Sequence, residues 1–317
     1  MDIMEGGDVE KTVGYNSLGH ALEAATLGVP HGSDSAALGR DEDTALVMKK
    51  VINAYGGNPD LMNDQYGMSD SIGRMTAGYI DDLNYSATNF AGSGDAYNRE
   101  ELFGSGRNDF GDLQTKKFLL TVGRNEESYE IASSVQQVYT ASGISGHADQ
   151  SDAMAFAKRS MWFHGALDEA RTEQIGKDFA EEADKKNMAL EQQAEWRKFA
   201  VGAAVAGGVA VATGPVAVAA YPIVVPLAEQ AGEAVKTGSS NEIAEWLKEN
   251  EYDNSRQAVA TQQDVIHAGQ VAAATPILNY LDSSDVSEED RRNFIDTLQG
   301  VYNDGRMATN TDNAPGQ

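Results

Sequence analysis

Cysteine is absent, which excludes disulfides, thiolate metal sites and cysteine nucleophiles. Positive charge is scarce: 24 Lys and Arg stand against 49 Asp and Glu, a formal net charge of -25. That balance argues against nucleic-acid binding by phosphate neutralisation and against an electrostatic hold on an anionic membrane. Acidic residues in this excess suit a well-solvated surface. The first residues, MDIMEGGDVEK, carry neither a basic n-region nor an apolar h-region and are not a secretory signal peptide. They do not read as the start of a folded domain either, so the chain is expected to be a fragment or shortened form of a longer protein, or to use a signal of another kind. No internal repeat of fixed period is visible.

Chemical motifs are equally thin. The five histidines, His20, His31, His147, His164 and His267, form no HExxH and no pair at metal-ligand spacing, so no metal site is expected. GYNSLGH, from Gly14, has phosphate-loop spacing but lacks the Lys and Ser/Thr that hold phosphate. Gly92-Ser93-Gly94 and Gly104-Ser105-Gly106 lack the third glycine of a dinucleotide loop. GISGH is not the GxSxG elbow of a hydrolase. Asp282, Asp285, Glu288, Glu289 and Asp290 resemble a calcium loop only loosely, without its central Gly and final Glu. Helix capping explains them better. Trp162, Trp196 and Trp246 fall on predicted helices as packing anchors. Neither catalytic residues nor a cofactor are expected.

What the chain does have is a run from Phe199 to Ala228, FAVGAAVAGGVAVATGPVAVAAYPIVVPLA, without one charged residue. Gly214-Pro215 marks a turn at its centre. The expected form is a helical hairpin, Phe199–Thr213 and Val216–Val235, with Pro222 and Pro226 disturbing the second arm. Each arm offers about 15 apolar residues before a turn, proline or charge, against roughly 20 needed to span a bilayer. The favoured reading is therefore a hairpin packed inside protein, with Gly202, Gly207, Gly208, Val209, Gly214 and Pro215 as the packing or insertion positions. Membrane insertion through residues 199–228 is the less favoured alternative.

The remaining periodicity is helical. Leu18, Ala21, Leu22, Ala25 and Leu27 keep helical spacing up to a stop at Gly28. Leu46, Val47, Val51 and Ile52 do so in a segment that starts acidic at Asp41 and ends at Gly56-Gly57. Asn58-Pro59 then suits an N-cap and first helical position. Ile72, Met75, Tyr79, Ile80 and Leu83 predict one helix from Ser69. Residues 91–112 read as a long loop, LQTKKFLLTVGR as helix or strand, and NEESYEIASSVQQVYTASG as a helix closed by Gly143. The longest signal starts near Ser151 and could run nearly fifty residues, bent or split at Gly165 and Gly176. Its apolar stripe is Leu167, Ala170, Ile175, Phe179, Ala183, Leu190 and Ala194, with a wet, charged opposite face. A helix capped by Ser240 carries Trp246, Leu247, Val259 and Ile266, and Pro276 is expected to end or kink it. A last helix starts at a Ser287 cap and stops at Gly305.

Together these predict an all-α protein: a loop-rich segment (1–40), a helical bundle (41–150), a long helix with the apolar hairpin (151–236), C-terminal helices (237–305) and a disordered tail (306–317).

The order LGHALEAATLG, DTALVMKKVINAYGGNPDLM, MSDSIGRMTAGYIDDLNYSA and GALDEARTEQIGKDFAEEADKKNMALEQQAEWRK, leading into the hairpin, resembles a family of large actinobacterial helical proteins. Their N-terminal parts are similar to WXG-type substrates of type VII secretion. The resemblance spans most of residues 15–305 and implies a helical protein, exported or envelope-associated, without a transferable activity. The chain lacks a WXG-like front segment; if it is complete as given, a cytoplasmic location is expected instead. The function expected is non-enzymatic: a structural or interaction protein of a bacterial secretion or cell-surface system, using the long helix and the apolar hairpin for packing or oligomerisation, with a protein partner or self-association. The alternative is a membrane-active effector or toxin-delivery module whose hairpin inserts into a bilayer. An enzyme is the third and weakest reading.

Overall fold

The computed structural model describes residues 6–31, 38–88, 108–146, 150–190, 192–193, 262–283 and 286–309. Every regular element among them is helical. The longer helices are α1 (Gly6–Leu27), α2 (Glu42–Gly57), α4 (Ser69–Gly78), α5 (Ile80–Thr88), α6 (Asp112–Arg124), α7 (Glu126–Gly146), α8 (Gln150–Asp178), α9 (Gln262–Ser283) and α10 (Glu288–Thr309). The short α3 (Leu61–Asp64) and a 3-10 turn at Tyr66–Met68 join α2 to α4. The all-α expectation holds. The apolar hairpin, with Gly202, Gly207, Gly208, Val209, Gly214 and Pro215, lies outside the described residues, as do Trp196, Trp246 and the tail from residue 310.

Local chemistry sets several boundaries. Asp41 caps α2: its Oδ1 accepts from the Thr44 N–H at 2.8 Å, and Thr44 Oγ1 accepts from the Asp41 N–H at 2.7 Å. The Thr44 amide bond holds the Asp41 carboxyl below its ordinary pKa. Ser287 caps α10 through the Asp290 N–H at 3.1 Å. Helix α1 ends at Leu27 because Gly28 turns left-handed, at φ +70. A side chain there would also strike the Gly39 carbonyl. The segment expected to be loop-rich thus contains a helix of 22 residues. The single helix expected from Ser69 is two, broken at Tyr79. Arg40 draws the Gly78 carbonyl out of the helical ladder with a 2.6 Å hydrogen bond from Nη1. Ile72, Met75, Tyr79, Ile80 and Leu83 are all buried nonetheless.

One core runs from Leu27 in α1 to Tyr302 in α10, and α8 is its axis. This helix continues unbroken through Gly165 and Gly176 but stops at Asp178, short of the fifty residues expected. Residues 183–190 are helical again after a turn. Its charged face is wet at Lys177 and Asp178, and beyond them, but not along its middle. Helices α6, α7, α9 and α10 all pack on it, and Asp168, Glu169 and Thr172 are as buried as Leu167 and Ala170. Gly165 has a different task from bending. A Cβ there would sit well inside the Tyr302 carbonyl oxygen of α10, and a Cβ at Gly305 would sit inside the Trp162 carbonyl oxygen of α8. The paired glycines bring the two backbones into direct contact. Helix α10 accordingly runs on past Gly305, where a stop was expected.

Pro276 does not end its helix either; α9 passes through it. Proline has no N–H, so the carbonyl four residues back, Ala272, loses its helical donor. Gln137 of α7 supplies one from its side chain, Nε2 to Ala272 O at 2.5 Å. A buried carbonyl that would otherwise cost about 1–3 kcal/mol is thereby satisfied.

Candidate functional site

Two polar clusters interrupt the apolar packing. The first centres on Asp168, in the middle of α8 and 1% exposed. Tyr129 of α7 donates its hydroxyl to Oδ1 at 2.7 Å. Tyr302 of α10 donates to Oδ2 at 2.8 Å. Gly269 of α9 closes the fourth side, where any Cβ would collide with the carboxylate. One carboxylate therefore joins three helices and seats a fourth. Gln193 reaches the same place, its Nε2 lying 3.4 Å from the Tyr129 hydroxyl and 3.5 Å from Thr172 Oγ1. Its Oε1 has no hydrogen-bond partner among the described residues.

Beside it opens a cavity of about 190 Å³, lined by Glu126, Tyr129, Glu130, Arg171, Phe179 and Gln193. Arg171 is committed to Glu126 at 2.7 Å and to the Arg124 carbonyl at 3.2 Å. Burial, reinforced by Glu126 and only partly countered by Arg171, pushes Glu130 up to about 7. The volume is below the roughly 300 Å³ of small-molecule pockets, and the cluster offers a near-neutral acid without a nucleophile–base pair.

Glu130 gives a pH prediction. Its folded pKa lies above its unfolded value near 4.5, so between about pH 4.5 and 7 the folded state holds the proton more tightly. The contribution of Glu130 to stability therefore falls as pH rises through that window. Glu130→Gln, uncharged throughout, is expected to be more stable than the parent at about pH 8 by roughly 1 kcal/mol, a figure reduced for solvent screening because the side chain is only half-buried. The gain should vanish near pH 4.5. Urea unfolding at both pH values checks this, and an equal gain at both would refute it.

The second cluster was not visible in the spacing of the histidines. The Gly28 turn sends the chain back along α1, so that the His31 ring stacks on His20 with centroids 3.5 Å apart and planes 16° apart. Asp70, in the first turn of α4, brings Oδ2 to 4.0 Å from His20 Nε2. One donor atom from each of His20, His31 and Asp70 lies within 4.8 Å of the other two. Glu23 stands behind them, 1% exposed. Its Oε2 is 3.0 Å from His31 Nδ1, and its Oε1 pairs with Arg74 Nε at 2.8 Å. His164 does not join them. It is wholly buried in the core, with Nε2 3.4 Å from Thr140 Oγ1. His267 sits on α9, and His147 lies outside the described residues.

Trp162 is a core residue, 4% exposed, as its predicted anchoring role requires. Comparisons with known protein families, with curated proteins and with solved structures return no match.

Proposed function

We propose that this chain is a non-enzymatic structural or interaction protein of a bacterial secretion or cell-surface system, of the type VII-associated kind its segment order resembles. Its body holds the uncharged run 199–228 for packing against a partner or a second copy. The observation that carries this reading is the use made of buried polar groups. Asp168 binds Tyr129 and Tyr302, Asp82 binds Arg40, and Asp81 accepts from Tyr139 at 2.6 Å. Asp168 and Asp81 tie separate helices together, and Asp82 ties α5 to the segment leading into α2. The test is sedimentation of the intact chain against a Gly207→Glu, Val209→Glu variant shown by circular dichroism to keep its helicity. Association by the intact chain, lost in the variant, is the expected result.

A membrane-active effector is the second reading, favoured by the absence of charge over residues 199–228. Among the described residues no helix is long and apolar enough to cross a membrane. A monomeric chain that releases dye from liposomes, with release lost in the same variant, would replace the first reading by this one.

A further inference from the structure

We infer that His20, His31 and Asp70 bind one divalent transition-metal ion of the zinc class, and that the ion pins the turn after α1 to the start of α4. Two imidazoles and a carboxylate are a borderline-soft donor set. They suit zinc and its first-row neighbours and disfavour magnesium and calcium, which take oxygen. Donor atoms around a tetrahedral ion at about 2.1 Å lie roughly 3.4 Å from one another. Here the three lie within 4.8 Å, a gap that side-chain rotation closes.

The feature that separates this cluster from two stacked surface rings is what stands behind it. Glu23 lies between Arg74, at 2.8 Å, and His31 Nδ1, at 3.0 Å; a carboxylate that accepts from Nδ1–H leaves the Nε2 lone pair of the ring for an ion. A buried carboxylate fixing the tautomer of a histidine is the usual outer shell of a metal ligand. Since Glu23 holds His31, His20 is the ring that must turn for the two lone pairs to meet; its side chain is 33% exposed and has room to do so. The same exposure gives an ion access. Three protein donors leave a fourth position for water or for a donor from a partner. The ion would join residues 20, 31 and 70 across two helices and the Gly28 turn, a clasp stabilising the N-terminal part of the fold.

The experiment is calorimetric titration of the chelator-stripped full chain with Zn²⁺ in a large excess of Mg²⁺, which saturates the acidic surface. About one equivalent should bind, with a Kd of about 10 µM or tighter. His20→Asn with His31→Asn should weaken binding at least tenfold and abolish the zinc-dependent rise in Tm. Should that double variant fail to fold, Asp70→Asn, altered at a partly exposed position, serves with Co²⁺ as the probe. The intact chain should show the visible absorption of a tetrahedral nitrogen–oxygen site, and the variant should lose or shift it. Many weak equivalent sites, no saturable binding, or a folded variant that binds as the parent does would each overturn the inference.

Discussion

Arg40→Met should lower the unfolding free energy by about 3–5 kcal/mol. The guanidinium is 1% exposed and its partner Asp82 fully buried, with Nη2 donating to Oδ2 at 2.6 Å. A second nitrogen holds the Gly78 carbonyl, and the group lies 3.9 Å above the Tyr79 ring centroid. The other oxygen of Asp82 accepts from the Asn108 backbone N–H at 2.7 Å and from its side chain at 3.0 Å. Methionine keeps much of the packing volume but takes the Arg40 charge away from a fully buried carboxylate, and that is the source of the loss. Arg40→Lys should also be costly, because an ammonium cannot reproduce the fork that serves two acceptors at once. Asp82→Asn in the Arg40→Met background should recover part of the deficit, since the buried charge is then gone. Urea unfolding of the three variants measures the coupling. A loss below about 1 kcal/mol for Arg40→Met would mean that water reaches the pair.

Gly165→Val is expected to cost at least 3 kcal/mol, at the upper end of overpacking effects. Gly165→Ala should be milder but still destabilising. The comparison that gives this force is Gly300, on the same helix as Gly305, where a Cβ meets nothing within 4 Å. Alanine is the better helix former by up to about 1 kcal/mol, so Gly300→Ala should raise Tm while Gly165→Ala lowers it. At Gly165 the methyl meets backbone, the Tyr302 carbonyl, and backbone cannot rotate out of the way. Parting α8 from α10 also stretches the bond from Tyr302 to Asp168. Thermal unfolding of the two alanine variants decides the matter, and identical shifts would remove the basis for backbone contact at this crossing.

How far the sequence could be read depended on how far away each residue's partner sits. Signals completed within one helical turn were legible. Gly28 ends α1 by its own conformation, and Ser287 caps a helix through an amide three residues on. Asp41 likewise caps with Thr44. Signals completed by distant residues were misread. Pro276 does not end its helix, and the carbonyl it orphans finds a donor in Gln137. Gly165 and Gly305 look like weak points until the opposing backbone is in place. The charges at Asp168 and Glu169 suggested a solvated face because a heptad pattern cannot tell water from a tyrosine hydroxyl or a guanidinium. Arg306 of α10 in fact lies 2.8 Å from Glu169. The histidine cluster was hidden for the same reason: His20 and His31 are eleven positions apart, and only the Gly28 turn folds one back on the other.

The surroundings of Asp168 hold together segments that lie far apart in the sequence. Gln193 touches the Tyr129 hydroxyl, Gly269 abuts the carboxylate that this hydroxyl binds, and Leu190 and Ala268 share a small apolar cluster with Ile175. The described residues on either side of 194–261 thus stand on one footing along α8. Damage at Asp168 would therefore be felt by both segments at once, as two doors hung on one post sag together.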